Sequence, residues 1–448
     1  MAYLLKSALL VTLDQPAIEP ADIRIKDGRI TERGAGLETL PGEETIDLRG
    51  SLVMPGMVCA HTHLYSALAR GMPAPPRAPS NFREILELIW WRLDLALDEE
   101  TIYWSAMAGA LDAARAGTTC LFDHHASPSH IKGSLDIVRQ ALEKVGLRGV
   151  LCYEVTDRGG DRKRDEGLEE NRAFLASIRR SLAADSKGEE PGGRASLFRG
   201  MVGAHASFTL TDSSLASCAE LMREYDAGIH IHVAEDLCDT DDARSKYGIG
   251  PVERLDRMGA LNERSILAHG VHLSKRDIEI ARSHGVWFAH NPRSNMNNQV
   301  GYAPVTVFGN RVVVGTDGIG ADMFEEARAA FFKGRDERSS LGADDWIRTL
   351  ANNQRIASNA FGVELGSLAA GAAADLIVLD YQSPTPVTAG NLAWHLAFGL
   401  SSASVRSVMV NGKFIIKDSL SPVDNQDVYL QIRKASEKLW ARLESREF

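Results

Sequence analysis

Eight short apolar runs in the middle of this 448-residue chain each close on a histidine or a carboxylate, and that pattern leaves few folds open to it. The runs end at His61-Thr62-His63, Asp123-His124-His125, Tyr153-Glu154, Ala204-His205, His232-Val233-Ala234-Glu235, Ala268-His269, Ala289-His290 and Thr316-Asp317. Near-continuous apolar segments mark parallel strands buried on both faces. Between them lie stretches with helical spacing of apolar residues: Glu99 to Ala116, Ser134 to Val145, Glu169 to Ala183, Ser213 to Tyr225, Gly250 to Met258, Ser274 to Ser283 and Phe324 to Lys333. Strands that alternate with helices pair in parallel through right-handed crossovers, and eight such units close a (β/α)8 TIM-type barrel. Barrel enzymes keep their chemistry at the carboxyl ends of the strands. The eight polar ends therefore belong to one rim.

The two ends of the chain read differently. Residues 1–54 alternate in short strands, with Asp27-Gly28 as a hairpin turn, and residues 369–448 repeat the style, with Asn411-Gly412 between Val405-Val410 and Lys413-Ile416. Both termini are expected to build one small β-sandwich beside a barrel of residues 55–368. The terminal segment Val428 to Leu443 carries a helical apolar stripe that fits core or a subunit contact. A proline-rich loop, Gly71 to Ser80, follows the first strand and is placed to cover the rim. A second loop, Asp185 to Gly193, precedes a strand and belongs at the opposite end.

Composition narrows the function classes. A net charge of -10, with no block of basic residues interleaved with aromatics, disfavours nucleic acid as a partner. No stretch approaches 18 consecutive apolar residues and no signal peptide is evident, so no membrane span is expected. The five cysteines show no paired spacing, and three lie inside apolar runs, which fits reduced thiols in the cytoplasm.

In a strand, residues two apart share a face, so His61 and His63 point the same way into a barrel mouth. His232 and Asp317 end two further runs, and three imidazoles with one carboxylate suit Zn²⁺ or a similar divalent ion. Three residues beyond His232 stands Glu235, where a carboxyl near a metal-activated water can shuttle protons. His269 ends the sixth run and is placed to hydrogen-bond the water or the substrate.

Six ordered motifs then match a family: Pro55-Gly56 with His61 and His63, Gly117-Thr118-Thr119, His232 with Glu235, Ala268-His269-Gly270-Val271-His272-Leu273, His290-Asn291-Pro292 with Ser294-Asn295, and Gly315-Thr316-Asp317-Gly318. Over nearly its whole length the chain resembles the amidohydrolase superfamily, in its mononuclear deaminase and chlorohydrolase branch. The resemblance implies a distorted barrel, one divalent metal, Zn²⁺ or alternatively Fe²⁺, on His61, His63, His232 and Asp317, and catalytic roles for Glu235, His269 and Asp317. It implies hydrolysis of a C–N bond of a purine-, pterin- or triazine-like heterocycle. The same machinery serves chlorohydrolases, N-alkylaminohydrolases and urea-type hydrolases, and some proteins of the fold are non-catalytic scaffolds. A homodimer or higher homo-oligomer is the family-level expectation, with the terminal helix and the rim cover as contacts.

Substrate reading is assigned to His124, His125, Glu154, His205, His290 and Trp90. Adenosine-type members place arginines near the third strand end to hold a carboxylate, whereas Tyr153-Glu154 stands there in this chain. That departure speaks against an S-adenosylhomocysteine-like substrate and for one with N–H donors or a cationic amidine. Asp-His-His-Ala-Ser-Pro at 123–128 and Ile89-Trp90-Trp91 give the chain its likeness to SsnA-type aminohydrolases of purine catabolism.

Overall fold

The computed structural model describes residues 2–186 and 197–445. Its centre is a ring of parallel strands: β1 (Met57–Thr62), β2 (Thr118–His125), β3 (Arg148–Tyr153), β4 (Val202–Ala206), β5 (Ile229–Val233), β6 (Ile266–His269), β7 (Trp287–His290) and β8 (Val312–Val314). β1 to β3, with the short strand Phe198–Gly200 beside β3, form one hydrogen-bonded group and β4 to β8 another. Single parallel bridges, Val155 to Ala204 and Thr62 to Asp317, join the two open edges and close the barrel. These thin seams are what makes the barrel distorted.

Alternation along the strands sorts the side chains. Ala60, Phe122, Cys152, Ala268, Ala289 and Val313 meet inside the ring, while Ile229, Ile231, Val233, Leu267 and Phe288 face the helices. Helix Ala343–Phe361, which the sequence pattern did not reveal, closes the lower end with Ile356 and Phe361. Its Asn353 braces the β1 and β8 seam: Nδ2 donates to Val58 O and Val314 O, each at 2.7 Å, and Oδ1 accepts from Val314 N at 2.8 Å.

The expected sandwich is one continuous sheet of eight strands folded about its own core of Leu5, Ile23, Ile25, Val53, Leu376 and Val378. Leu376–Leu379 pairs antiparallel with Leu52–Pro55, so the two ends of the chain meet in the sheet. Both hairpin turns take the left-handed backbone that their residues favour, with φ of 51° and 80° at Asp27-Gly28 and 49° and 71° at Asn411-Gly412. A bidentate, fully buried ion pair, Arg148 Nε to Asp375 Oδ2 at 2.7 Å and Nη2 to Oδ1 at 2.9 Å, ties β3 to this sheet.

Several local expectations change. The helix expected from Glu169 begins at Gly160 and runs to Ser186, covering the first residues of the second loop, whose residues 187–193 lie outside the described ones. The rim is covered by the helical segment after the proline-rich loop rather than by the loop: Phe82, Leu86, Trp90, Trp91 and Asp94 face the cavity. Residues Leu86–Trp90 form a π-helical turn, whose extra residue lets Trp90 and Trp91 share that face. The terminal helix, Gln426–Ser445, buries Ile432, Ala435, Leu439 and Leu443 within its own chain, and its Trp440 Nε1 donates to Leu68 O at 2.9 Å. Its stripe is core. All five cysteines are free, and no described helix is long and apolar enough to cross a membrane.

Candidate active site

Three histidines and one carboxylate converge above the barrel core. His63 Nε2 lies 3.1 Å from His232 Nε2 and 2.9 Å from Asp317 Oδ1, and His61 Nε2 lies 3.4 Å from the same oxygen. Each imidazole is held by its other nitrogen. His63 Nδ1 donates to His124 O at 2.5 Å, His232 Nδ1 donates to His205 O at 2.8 Å, and His61 Nδ1 shares a 2.8 Å hydrogen bond with His230 Nε2. This is how proteins orient metal-ligating imidazoles: the held N–H sets the tautomer and leaves the Nε2 lone pair free. A bulge in β1 between Cys59 and Thr62 turns His61 inward beside His63.

The electrostatics call for a cation. Burial keeps His61 neutral, with its pKa pushed down to about 3, and holds His232 well below its usual range. Burial also disfavours a charged His63, yet the adjacent Asp317 carboxylate outweighs it and raises that ring to about 9. Burial alone would raise Asp317, but the adjacent His61 and His63 rings hold it well below the usual carboxylate range. His61 Nε2 is buried without a hydrogen-bond partner. Two imidazole nitrogens 3.1 Å apart beside an ionised carboxylate fit a divalent ion that takes the place of the proton on His63. The donor set therefore fits the metal that the resemblance implies.

Glu235 and His269 stand at the edge of this cluster. Burial pushes the Glu235 carboxyl up to about 7, which suits a group that takes and returns a proton near neutral pH. His269 Nε2 lies 3.5 Å from Glu235 Oε2. By strand alternation His269 would face outward with Leu267, but a left-handed backbone, φ 71°, turns it back to the rim, whereas Asp317, in step with the inward Val313, already points to the mouth. Gly315 lets β8 approach β1, since a Cβ there would lie 2.6 Å from His61 Cβ.

The cavity above the cluster is lined by Trp90, Trp91, Glu154, His205, Glu235 and Asp317, among others. Trp90 lies over Gly318, where a Cβ would come within 3.2 Å of its ring. Burial alone would raise Glu154, but His205, His124 and Arg158 surround it and hold it down at about 2. Three residues expected to read the substrate are placed elsewhere. His124 points into the barrel below the cluster, where Nε2 donates to Ala204 O and His230 O. His125, one residue on, faces the opposite side of β2, hydrogen-bonded to Ser127 Oγ at 2.9 Å. His290 follows Ala289 and so faces outward, stacked on Trp346.

Four residues with parts in this arrangement carried no sequence assignment. His230 shares the H-x-H alternation of His232, a signal that was there to be read. Asp94, Arg158 and Asn298 had none. Arg158 Nη2 contacts Asp94 Oδ2 at 2.8 Å and Glu154 Oε1 at 3.4 Å, with its guanidinium over the Trp91 ring. It stands behind the cavity wall, a single cation shared between two acids.

The Amidohydrolase family model matches residues 52–415. A 5′-deoxyadenosine deaminase of Methanosarcina mazei is 32% identical over 99% of both chains. A 5-methylthioadenosine/S-adenosylhomocysteine deaminase of Desulforamulus reducens is 29% identical over 97% of this chain and 98% of its own. Among solved structures, an adenosine deaminase from Xanthomonas campestris with bound zinc superposes with a TM-score of 0.82 at 21% identity, covering 98% of both chains. With a family match spanning the barrel and a relative alike from end to end, the chain belongs to the amidohydrolase family.

Proposed function

We propose that this chain is a metal-dependent aminohydrolase that removes the exocyclic amino group of an adenosine-like purine as ammonia. The observation that carries the reading is the convergence of three imidazole Nε2 atoms and the Asp317 carboxylate at the floor of a cavity whose wall holds Glu235. The relatives named above are deaminases of adenine nucleosides, and the Xanthomonas neighbour holds zinc. A divalent ion, zinc in this reading with ferrous iron as the alternative, when held by His61, His63, His232 and Asp317 lowers the pKa of a water to about 7. Asp317 accepts the proton that the water gives up. Glu235 delivers a proton to the ring nitrogen beside the reacting carbon, and His269 Nε2 hydrogen-bonds the incoming oxygen. Asp317 passes its proton to the amino nitrogen and Glu235 takes back the proton of the new hydroxyl, so that collapse of the tetrahedral carbon expels ammonia and leaves the water's oxygen as a carbonyl on the ring.

The cavity also selects by charge in this reading. Asp94, Glu154, Glu235, Asp236 and Asp239 line it, while no lysine or arginine does among the described residues. Arg158 is spent on Asp94 and Glu154. A neutral nucleoside with hydroxyl and amine donors suits such a wall, and an anionic appendage meets like charge. Zinc-loaded protein is expected to release ammonia from adenosine or 5′-deoxyadenosine, with kcat/KM for adenosine 5′-monophosphate lower by about 100-fold or more. Equal turnover of nucleoside and phosphate would overturn the charge reading. Silence on every adenine nucleoside would overturn the substrate reading.

The homo-oligomer has support from a patch outside the site. Phe332, Trp394 and Phe398 are 47%, 48% and 63% exposed, and Trp394 stacks on Phe398. Adjoining exposed aromatics of this size mark interaction surfaces. We place the subunit contact there rather than at the terminal helix. Light scattering is expected to show Trp394→Glu shifting a dimer toward monomer, and an unchanged mass would remove this patch from the interface. The free cysteines fit a reducing compartment such as the cytoplasm.

A further inference from the structure

The motif His290-Asn291-Pro292 with Ser294-Asn295 matches the family without yet having a task, and the structure supplies one. It opens helix Pro292–Asn297, with Pro292 at the first helical position, and the turn continues to Asn298, whose N–H donates to Ser294 O at 2.8 Å. Three side chains of this one turn reach three different groups of the site. Ser294 Oγ donates to Asp317 Oδ2. Asn295 Oδ1 accepts from His269 Nδ1 at 2.8 Å. Asn298 Nδ2 donates to Glu235 Oε1 at 3.0 Å and lies 3.3 Å from Ser294 Oγ, its neighbour one turn back. All three are buried.

The contacts are divided in a consistent way. Ser294 takes Oδ2 of Asp317, so Oδ1 faces the imidazoles of His61 and His63. Asn295 takes Nδ1 of His269, so the N–H sits there and Nε2 presents its lone pair to the rim. Asn298 takes Oε1 of Glu235, which leaves Oε2 toward His269. Every group keeps one atom held and one atom free to work.

The helix is itself anchored. Arg293, on its other face, ion-pairs with Glu326 and Glu325 and donates from Nη2 to Gly320 O at 2.8 Å and Ile319 O at 3.1 Å, in the loop just after Asp317. The three contacts therefore move with the Asp317 loop as one piece.

We infer that Ser294, Asn295 and Asn298 are positioning residues, a single brace that aims Asp317, His269 and Glu235 at the reacting atoms. The inference rests on the proposed deaminase reading for its kinetic arm and is independent of it for its metal arm. Ser294→Ala is expected to weaken Zn²⁺ binding by about 10- to 100-fold in a chelator competition, because supporting hydrogen bonds tune ligand affinity by that much. Asn298→Ala is expected to lower kcat by about 10- to 100-fold, with KM within about threefold and metal content and melting temperature unchanged. Asn298→Asp, of equal size but without the donor, carries the same expectation if the alanine variant fails to fold. The decisive readout is a double-mutant cycle: Asn298→Ala combined with Glu235→Ala is expected to be no slower than Glu235→Ala alone. Losses that multiply in the double variant would overturn the brace, as would wild-type zinc affinity in Ser294→Ala. A wild-type protein that releases no ammonia would instead defeat the deaminase reading and leave the zinc titration to decide the brace.

Discussion

Asp317→Asn is expected to lower kcat by about 1,000-fold or more while the protein stays folded. Asp317 has a left-handed backbone, φ 52°, a conformation that asparagine tolerates nearly as well as aspartate, so the turn after β8 has no reason to change. The amide keeps the volume and the contact with Ser294, and loses the charge. The carboxylate that draws positive charge toward His61 and His63 disappears, and with it the oxygen that takes the water's proton. Bound metal should fall as well, since one of four ligands is now neutral and weaker. Rates from purified protein of unchanged melting temperature check this, and retention of more than a few per cent of wild-type kcat would contradict the role given to Asp317.

Glu235→Gln separates proton delivery from metal binding. Gln keeps the shape and the hydrogen bond from Asn298, but has no proton to give at neutral pH. Positioned general acid–base groups contribute about 100- to 10,000-fold, so kcat is expected to fall in that range. Metal content should stay near one equivalent, because no Glu235 oxygen takes part in the His63, His232 and Asp317 contacts. A loss of less than tenfold, or a parallel loss of metal, would move Glu235 out of the proton path.

The barrel was legible because burial on both faces leaves a long trace: eight apolar runs, each with a polar end, survive any uncertainty in their boundaries. His61, His63 and His232 were legible for a related reason, since an H-x-H pair on a strand end needs only two-residue alternation to share a face. The same rule failed at His125 and His290, where a polar strand end looked like rim and strand parity turned it away. It would have failed at His269 too, had only an ideal strand been assumed, because left-handed backbone there reverses the direction that alternation gives. Asp94 and Arg158 left no local signal. They come from a rim helix and a loop that are far apart in sequence and meet only when the barrel closes. The π-helical turn at Leu86–Trp90 is equally silent, being one residue too many in an ordinary helical pattern. The brace lies between these cases, with residues visible as a motif and a purpose that exists only in the hydrogen bonds of Ser294, Asn295 and Asn298.

The central claim is that a divalent ion on His61, His63, His232 and Asp317 drives loss of ammonia from an adenine nucleoside. It is tested most directly by titrating Zn²⁺ into chelator-treated protein while ammonia release from 5′-deoxyadenosine is followed. The account predicts no release without metal and a rise that saturates at one equivalent per chain, abolished in His61→Ala. Full activity in the chelator-treated protein, or one equivalent bound with no ammonia from any adenine nucleoside, would contradict it.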